Sequence, residues 1–219
     1  MVSETVPTSW LVYCRPGFES DALAELQHHA ALQGIACEST HGEGWVSLTR
    51  VDGEAVNDLH RQAAFKTLIF ARQSLAALPA LTLSRDDRLT AILEQVKASR
   101  WSFEEIWHET PDTNDGKALA GLIKALTRPL ASMLKKTWCA EAECGGRRLH
   151  IFWTDGDQVQ LAMSFPGNRS ELVNGIRRLR FPSRAPSRST LKLEEAWHEF
   201  IPPRGSGTYG LRRICRQLI

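Results

Sequence analysis

The residues best suited to chemistry are arginines, and most of them lie in the last quarter of the chain. Residues 1–168 hold 16 Lys/Arg against 21 Asp/Glu, a balance of −5, whereas residues 169–219 hold 11 against 4, a balance of +7. Ten of those eleven are arginines. A guanidinium matches phosphate geometry and stacks on bases, so the asymmetry favours a nucleic-acid partner. A solvated linker that carries arginines is the alternative.

Other reactive side chains form no strong pattern. Glycine-rich phosphate loops, hydrolase nucleophile elbows and zinc-protease helices are missing from the sequence. Cys139 and Cys144 lie near His150, but a zinc site needs four convergent ligands at tighter spacing. The five cysteines are odd in number and contain no CxxC, so we expect neither a disulfide framework nor a metal.

A polar cluster surrounds Pro111 and admits two interpretations. Its members, Asp112, Asn114, Asp115 and Lys117, are types that line polar sites. They are also the types found at the start of a helix, where oxygens accept from free N–H groups and acids offset the helix dipole. The helix start is the favoured interpretation.

Composition predicts a globular protein. The chain has 219 residues, of which 42% are hydrophobic and 24% charged, and this suits one large or two small domains. No apolar run reaches the roughly 18 residues that span a bilayer, and the first nine residues lack a signal pattern. A cytoplasmic location is therefore expected.

Hydrophobic periodicity predicts a ferredoxin-like unit in residues 1–84. The order is strand, helix, strand, strand, helix, strand, which is the split βαβ plan. The predicted elements are strand 10–14, helix 18–33 closed by Gly34, strands 35–38 and 45–49, helix 54–62 and a strand that begins at 67–71.

A second α/β unit is predicted in residues 85–168. Helix 85–98, strand 103–109 and helix 115–136 precede strands 149–153 and 158–164, which flank a turn. Pro129 lies inside the second helix and predicts a kink or break near Arg128.

The last part of the chain is predicted as a basic linker, 169–187, and a helix from Ser187 to about residue 200. Ser187 is a predicted cap. One face of the helix carries Leu193, Ala196, Trp197 and Phe200; the other carries Arg188, Lys192, Glu195 and Glu199. By periodicity alone, Lys192 is a solvated helix lysine.

Five stretches together resemble the large-subunit rRNA 2′-O-ribose methyltransferase M (RlmM) family. The most specific is Arg178-Leu-Arg-Phe-Pro-Ser-Arg-Ala-Pro-Ser-Arg-Ser-Thr-Leu-Lys-Leu-Glu-Glu-Ala-Trp-His198. The others are Cys14-Arg-Pro-Gly-Phe-Glu19, residues 67–73, Asp87-Arg-Leu89, and Asp112-Thr-Asn114 with Lys117. The resemblance covers about residues 10–202.

The resemblance implies an α/β fold with a ferredoxin-like unit, a THUMP-like RNA-binding unit, a linker, and the start of a Rossmann-like methyltransferase domain at 188–219. It implies methylation of a cytidine ribose in 23S rRNA, with S-adenosylmethionine as the family cofactor and large-subunit rRNA as the partner. The implied phosphate contacts are Arg177, Arg178, Arg180, Arg184 and Arg188.

Lys192 is the catalytic residue that the resemblance implies. Related enzymes share a Lys-Asp-Lys-Glu tetrad whose first lysine follows Ser-Arg-x-x-x, and here the pattern begins at Ser187 and reaches Lys192. A lysine whose pKa falls on desolvation suits the orientation or deprotonation of a 2′-hydroxyl. Ser187 and Ser189 at best border the cofactor pocket.

The sequence departs from the family after residue 203. The glycine-rich cofactor motif and the other tetrad members do not follow, so we expect this polypeptide to bind no S-adenosylmethionine and to be inactive alone. Residues 203–219 are interpreted as a frameshifted tail, because permitted codons in another frame spell the family sequence. DNA around codons 200–225 decides this.

Two alternatives remain open at this stage. One is a stand-alone RNA-binding module that helps or competes with another modification enzyme. The other is a non-functional truncated product, which predicts an exposed apolar face around Trp197 and Phe200.

Overall fold

The computed structural model describes residues 5–137, 145–181, 183 and 187–201. The chain divides into two compact units, Met1–Gly175 and Ile176–Ile219, each described by itself. The predicted tail 203–219, Arg184, Cys139 and Cys144 lie outside the described residues.

The first half of unit 1 is ferredoxin-like, as predicted. Its elements are β1 (Ser9–Tyr13), α1 (Glu19–Leu32), β2 (Cys37–Gly42), β3 (Trp45–Arg50), α2 (Asn57–Gln62) and β4 (Gln73–Ala77). The strands pair antiparallel in the order β2-β3-β1-β4. Because alternate side chains point to opposite faces, Trp10 and Val12 pack with Leu26 and Leu59 of the helices, and Leu11 lies on the other face.

The last strand of this half was predicted to begin at 67–71 and to reach Leu78, and its predicted start is wrong. Phe65–Thr67 forms a turn of 3-10 helix, and β4 begins only at Gln73. The reason is a distant carboxylate: Glu25 accepts hydrogen bonds from the backbone N–H of Ile69 at 2.7 Å and of Phe70 at 3.1 Å. Those N–H groups bond to a side chain of α1 instead of a neighbouring strand.

The second half of unit 1 is also α/β. Its elements are β5 (Leu81–Thr82), α3 (Arg88–Ser99), β6 (Glu105–Glu109), α4 (Asn114–Ala118), α5 (Ala120–Thr137), β7 (Arg148–Asp155) and β8 (Gln158–Ser164). The predicted helices and strands are present here, with the short β5 in addition. Strands β6 and β7 pair parallel, whereas β8 pairs antiparallel with its neighbours.

The predicted helix at 115–136 breaks at Leu119, between α4 and α5, and runs unbroken through Pro129. Leu130 and Leu134, beyond the proline, are fully buried, and their packing offsets the hydrogen bond that proline cannot donate. The cluster around Pro111 starts α4, since the Thr113 hydroxyl accepts from the Gly116 N–H at 2.9 Å. The cap interpretation is confirmed, with Thr113 as the cap.

A single sheet joins the two halves. Its order is β2-β3-β1-β4-β8-β7-β6, with β5 paired to β8 off this path. The junction is short: Ala76 lies opposite Met163 and Ala77 opposite Ala162. Leu78 extends it, because its N–H donates to the Leu161 carbonyl at 2.9 Å and its carbonyl accepts from the Gln160 side chain at 2.8 Å.

Unit 2 contains α6 (Ser189–Phe200), close to the prediction. The Ser187 hydroxyl accepts from the Ser189 N–H at 3.2 Å and so satisfies one free donor at the helix start. Across the described part of the chain, no helix is long and apolar enough to cross a membrane.

One buried histidine makes unit 1 sensitive to acid. His60 is fully buried, and burial lowers its pKa from 6.5 to about 4. Its contribution to stability is complete above pH 6.5 and is lost as the pH falls towards 4, because only the unfolded chain binds the proton in that window. The loss for this one group is about 3 kcal/mol at 1.36 kcal/mol per pKa unit.

The unfolding free energy of the parent chain should fall between pH 7 and pH 4.5. In His60→Gln we expect that fall to be smaller by about 2 kcal/mol. Urea titrations at both pH values measure this difference. Comparing each variant with itself removes any constant effect of the substitution. His28→Gln, which removes an exposed imidazole, is the control. An equal pH-dependent loss in His60→Gln and parent would contradict the assignment.

Candidate nucleic-acid interface

Residues 168–175 form a strap that is bonded to both halves of unit 1. The Asn168 side chain accepts from the Phe65 N–H at 2.6 Å and donates to the His60 carbonyl at 2.7 Å. Ser170 exchanges two hydrogen bonds with the Gln73 side chain, at 2.9 and 3.2 Å. The first residues of the predicted linker are therefore docked on the domain.

A buried carboxylate, Glu109 at the end of β6, holds the end of this strap. Its oxygens accept from the Tyr13 hydroxyl at 3.0 Å and from the Asn174 N–H at 2.6 Å, and His150 Nδ1 lies 2.6 Å away. The other ring nitrogen of His150 lies 2.8 Å from the Ser164 hydroxyl. Burial, together with the Glu109 charge, raises the pKa of Tyr13 well above 10. The hydroxyl therefore stays a donor at neutral pH.

Both ring nitrogens of His150 lie within hydrogen-bond distance of members of this network. Among the described residues, no group of three or more His, Cys, Asp or Glu side chains is arranged to hold a metal ion.

Two arginines, Arg148 and Arg169, connect the strap to unit 1. The Arg148 guanidinium, 6% exposed, lies 3.5 Å from the ring centroid of Trp107 and donates to Glu105 at 2.7 Å and to Glu171 at 3.0 Å. Arg169 donates to Glu171 at 2.9 Å and to the Gly146 carbonyl at 2.7 Å. Both count as basic residues in the composition, but carboxylates within unit 1 neutralise their charge.

The strap ends on two residues with left-handed backbone. Asn174 has φ +55° and Gly175 has φ +64°. A Cβ on Gly175 would lie 1.8 Å from the backbone oxygen of Arg72, which is far inside contact distance. Only glycine fits, so the backbone of residue 175 lies directly against the residue that precedes β4.

The basic segment begins in unit 2. Arg178 and Arg180 are exposed and alternate with half-buried Leu179, whereas Arg177 is half-buried. Phe181 is 47% exposed and follows directly. The structure assigns no helix or strand to this segment, and both exposed guanidinium groups are open to solvent.

Helix α6 continues the same surface chemistry. Arg188 and Lys192 are both exposed and lie one helical turn apart, so they share a face near the N-terminal end of the helix. The helix dipole adds partial positive charge at this end. Ser187 and Ser189 beside them are exposed as well. Four of the predicted site residues, Ser187, Arg188, Ser189 and Lys192, thus lie at or just before the start of α6. Of the predicted arginines that the structure describes, Arg178, Arg180 and Arg188 are exposed and Arg177 is half-buried.

The opposite face of α6 is apolar and largely open. Leu193 is 62% exposed and Phe200 is 83% exposed, with Trp197 half-buried between them. An exposed apolar face of this kind is typical of a helix that packs against another domain.

Sequence reasoning missed the residues that hold the strap. Glu109, Arg72 and Asn168 are far apart in the chain, and no spacing rule connects them. A local signal existed only at its end, where the Asn174-Gly175 dipeptide is a turn signature.

Comparison with family models decides the relationship. A model described as the RlmM ferredoxin-like domain matches residues 8–75, and one described as ribosomal RNA large subunit methyltransferase M, N-terminal, matches residues 87–165. The chain belongs to the RlmM family. The two matched regions correspond to the two α/β halves of unit 1.

Curated relatives support the same family. Ribosomal RNA large subunit methyltransferase M of Chromohalobacter salexigens is 58% identical over 199 residues, which are 90% of this chain and 56% of the relative. The protein of the same name from a Marinomonas species is 43% identical over 194 residues, 88% of this chain and 55% of the relative. The chain spans about half the length of these relatives. Among solved structures, TrmN from Thermus thermophilus is 18% identical with a TM-score of 0.45, over 74% of this chain and 46% of that one.

We expect Gly175→Ala to detach the strap and to lower the unfolding free energy of the chain by about 2–4 kcal/mol, because the methyl group collides with the Arg72 backbone. Gly167→Ala is the matched control: φ there is +78°, but a Cβ would meet nothing within 4 Å. It should cost only the roughly 1 kcal/mol of a left-handed alanine. Denaturant unfolding measures both, and equal losses would refute the collision.

Proposed function

We propose that residues 1–219 are the RNA-recognition part of an S-adenosylmethionine-dependent 23S rRNA cytidine 2′-O-ribose methyltransferase. The family relationship supports the reaction class. The observation that carries the RNA role is the set of exposed cations that follows the strap in sequence: Arg178 and Arg180 before α6, and Arg188 and Lys192 at its start.

The distribution of charge favours this surface over the average surface of residues 1–168 as an RNA contact. Residues 169–203 hold seven basic and four acidic residues, while residues 1–168 carry a net −5. An anionic RNA is attracted to the former and repelled on average by the latter. Phe181, half exposed among the arginines, offers a ring on which a base stacks.

Among the described residues, those that the resemblance assigns to the edge of the cofactor site form no pocket. Ser187, Ser189 and Lys192 are all exposed on one helix, and the glycine-rich stretch through which the family approaches its cofactor is missing from this sequence. The proposed role of Lys192 is to orient or deprotonate the ribose 2′-hydroxyl, and it depends on residues that this polypeptide does not supply.

The apolar face of α6 fits the same proposal. A helix that starts a Rossmann-like domain packs its apolar face on a sheet, and Leu193 and Phe200 are available for that packing. The competing idea of a non-functional product also accommodates an exposed face, so binding measurements must separate the two.

We expect the chain to bind a 23S rRNA fragment with an affinity that falls steeply with salt, because phosphate contacts release counterions. The triple variant R178Q/R180Q/R188Q should lose about tenfold or more in affinity, and its salt slope should flatten by about 2. Filter binding at 50–200 mM KCl measures both quantities.

The charge-matched control is K66Q/R85Q/K124Q, which removes three exposed cations of unit 1. Its affinity should stay within about twofold of the parent. Binding by the parent that is insensitive to salt, or equal losses in both triple variants, would count against the proposed surface.

We also expect the purified chain to transfer no methyl group. Labelled S-adenosylmethionine and unmodified 23S rRNA, incubated with the chain, should give no labelled RNA above a protein-free blank. A full-length relative is the positive control. Multiple turnovers by this chain alone would overturn the proposal that methyl transfer needs further residues.

A further inference from the structure

Unit 1 has a small groove of its own, built without any residue of the basic segment. It is a cavity of about 130 Å³ lined by Thr5, Val6, Pro7, Arg61, Trp101, Arg147, Met163 and Phe165. That is below the roughly 300–1,000 Å³ of pockets that hold a drug-sized molecule. The cavity is therefore of the size to take part of one nucleotide, its base or its phosphate, and not a larger ligand.

The groove is cationic although unit 1 is acidic overall. Two of its lining residues are arginines, and none of those that the structure describes is Asp or Glu. Residues 1–168 nevertheless carry a net −5. A local pair of guanidinium groups on an acidic body attracts an anion to one place and not to the surrounding surface.

Aromatic and apolar groups line the same groove. The guanidinium carbon of Arg61 lies 5.9 Å from the ring centroid of Phe165, which is half-buried at the end of β8. Met163 and Trp101 complete the apolar lining. An aromatic ring beside a guanidinium plane is the surface on which single-stranded bases stack.

Hydrogen bonds hold the walls in place without a ligand. The Thr5 N–H donates to the Ser99 carbonyl at 3.0 Å, and the Trp101 indole donates to the Thr5 carbonyl at 3.0 Å. The Val56 N–H donates to the Pro7 carbonyl at 2.9 Å, which ties the same segment to the start of α2. The Arg147 guanidinium donates to the Ser102 hydroxyl. A groove fixed in this way loses little entropy when it binds.

The groove exists because the two halves share a sheet. Arg61 comes from α2 in the first half, while Trp101 and Arg147 come from the second, and β8 supplies Met163. Neither half alone supplies both arginines.

We infer that this groove binds one nucleotide of single-stranded RNA, with its phosphate at Arg61 and Arg147 and its base against Phe165. The inference rests on the proposed RNA-binding function and extends it: the RNA has a second contact on unit 1. Double-stranded RNA does not fit, because its bases are stacked and paired and cannot enter a cavity of this size.

The test uses the full chain with R178Q/R180Q/R188Q as background, so that binding at the basic segment no longer dominates. The probe is fluorescein-labelled hexauridylate, followed by fluorescence anisotropy. Adding R61Q should weaken binding at least fivefold, and adding R61Q/R147Q at least tenfold. R85Q, which removes an 81% exposed arginine outside the groove, is the charge control and should change affinity less than twofold.

A second measurement locates the RNA. Hexanucleotides that contain 4-thiouridine should crosslink, on irradiation, to the peptide with Phe165 or the peptide with Trp101, and R61Q should reduce that crosslink. Arg61 is exposed, and its side chain makes no described hydrogen bond. The R61Q variant therefore reports on binding even if R147Q disturbs the fold.

The possible outcomes test the groove, the base contact and the proposed function separately. If R61Q loses no more affinity than R85Q, or if crosslinks form only outside the groove, the groove is not an RNA site. The proposed RNA surface of unit 2 is unaffected by that result. Full competition by tripolyphosphate at equal phosphate concentration overturns the base contact. If the parent chain binds neither hexauridylate nor the rRNA fragment, the proposed function fails together with this inference.

Discussion

The pairing of β4 with β8 is the interaction on which the rest of the structure depends. Only two residue pairs form it, and three of the four residues are alanine, Ala76, Ala77 and Ala162. Small side chains let the two halves meet without a bulky ridge between them. Without this pairing each half would present an open strand edge, and the strap that follows β8 could not reach the Gln73 side chain at the start of β4.

The arginines of the chain divide into two groups according to nearby carboxylates. Arg148 and Arg169 share Glu171, and Arg148 also meets Glu105, so both are neutralised within unit 1. Arg178 and Arg180 follow within a few residues and are exposed. Glu171 therefore neutralises the arginines before the basic segment, while Arg178 and Arg180 after it are exposed, a difference that net charge alone does not reveal.

Periodicity and turn residues predicted most elements because those signals are local. The apolar run of β1 and Gly34 after α1 are signals set by neighbours in sequence, and the strand and the helix end that they predict are both confirmed. The strand predicted at 67–71 failed because Glu25, more than forty residues away, bonds its N–H groups. The Glu109 network was equally invisible, since its members come together only when the sheet is complete. The RNA-contacting roles stay predictions.

The position of β8 in the sheet has a consequence for the order of synthesis. This strand pairs with β4, β5 and β7, yet it is the last strand of unit 1 to leave the ribosome. The ferredoxin-like half is synthesised some 80 residues earlier. Until β8 is made, the edge of β4 that faces it has no partner strand. A nascent chain of this protein is therefore vulnerable to edge-to-edge association until residue 164 emerges, and a chaperone that covers β4 would act in that interval.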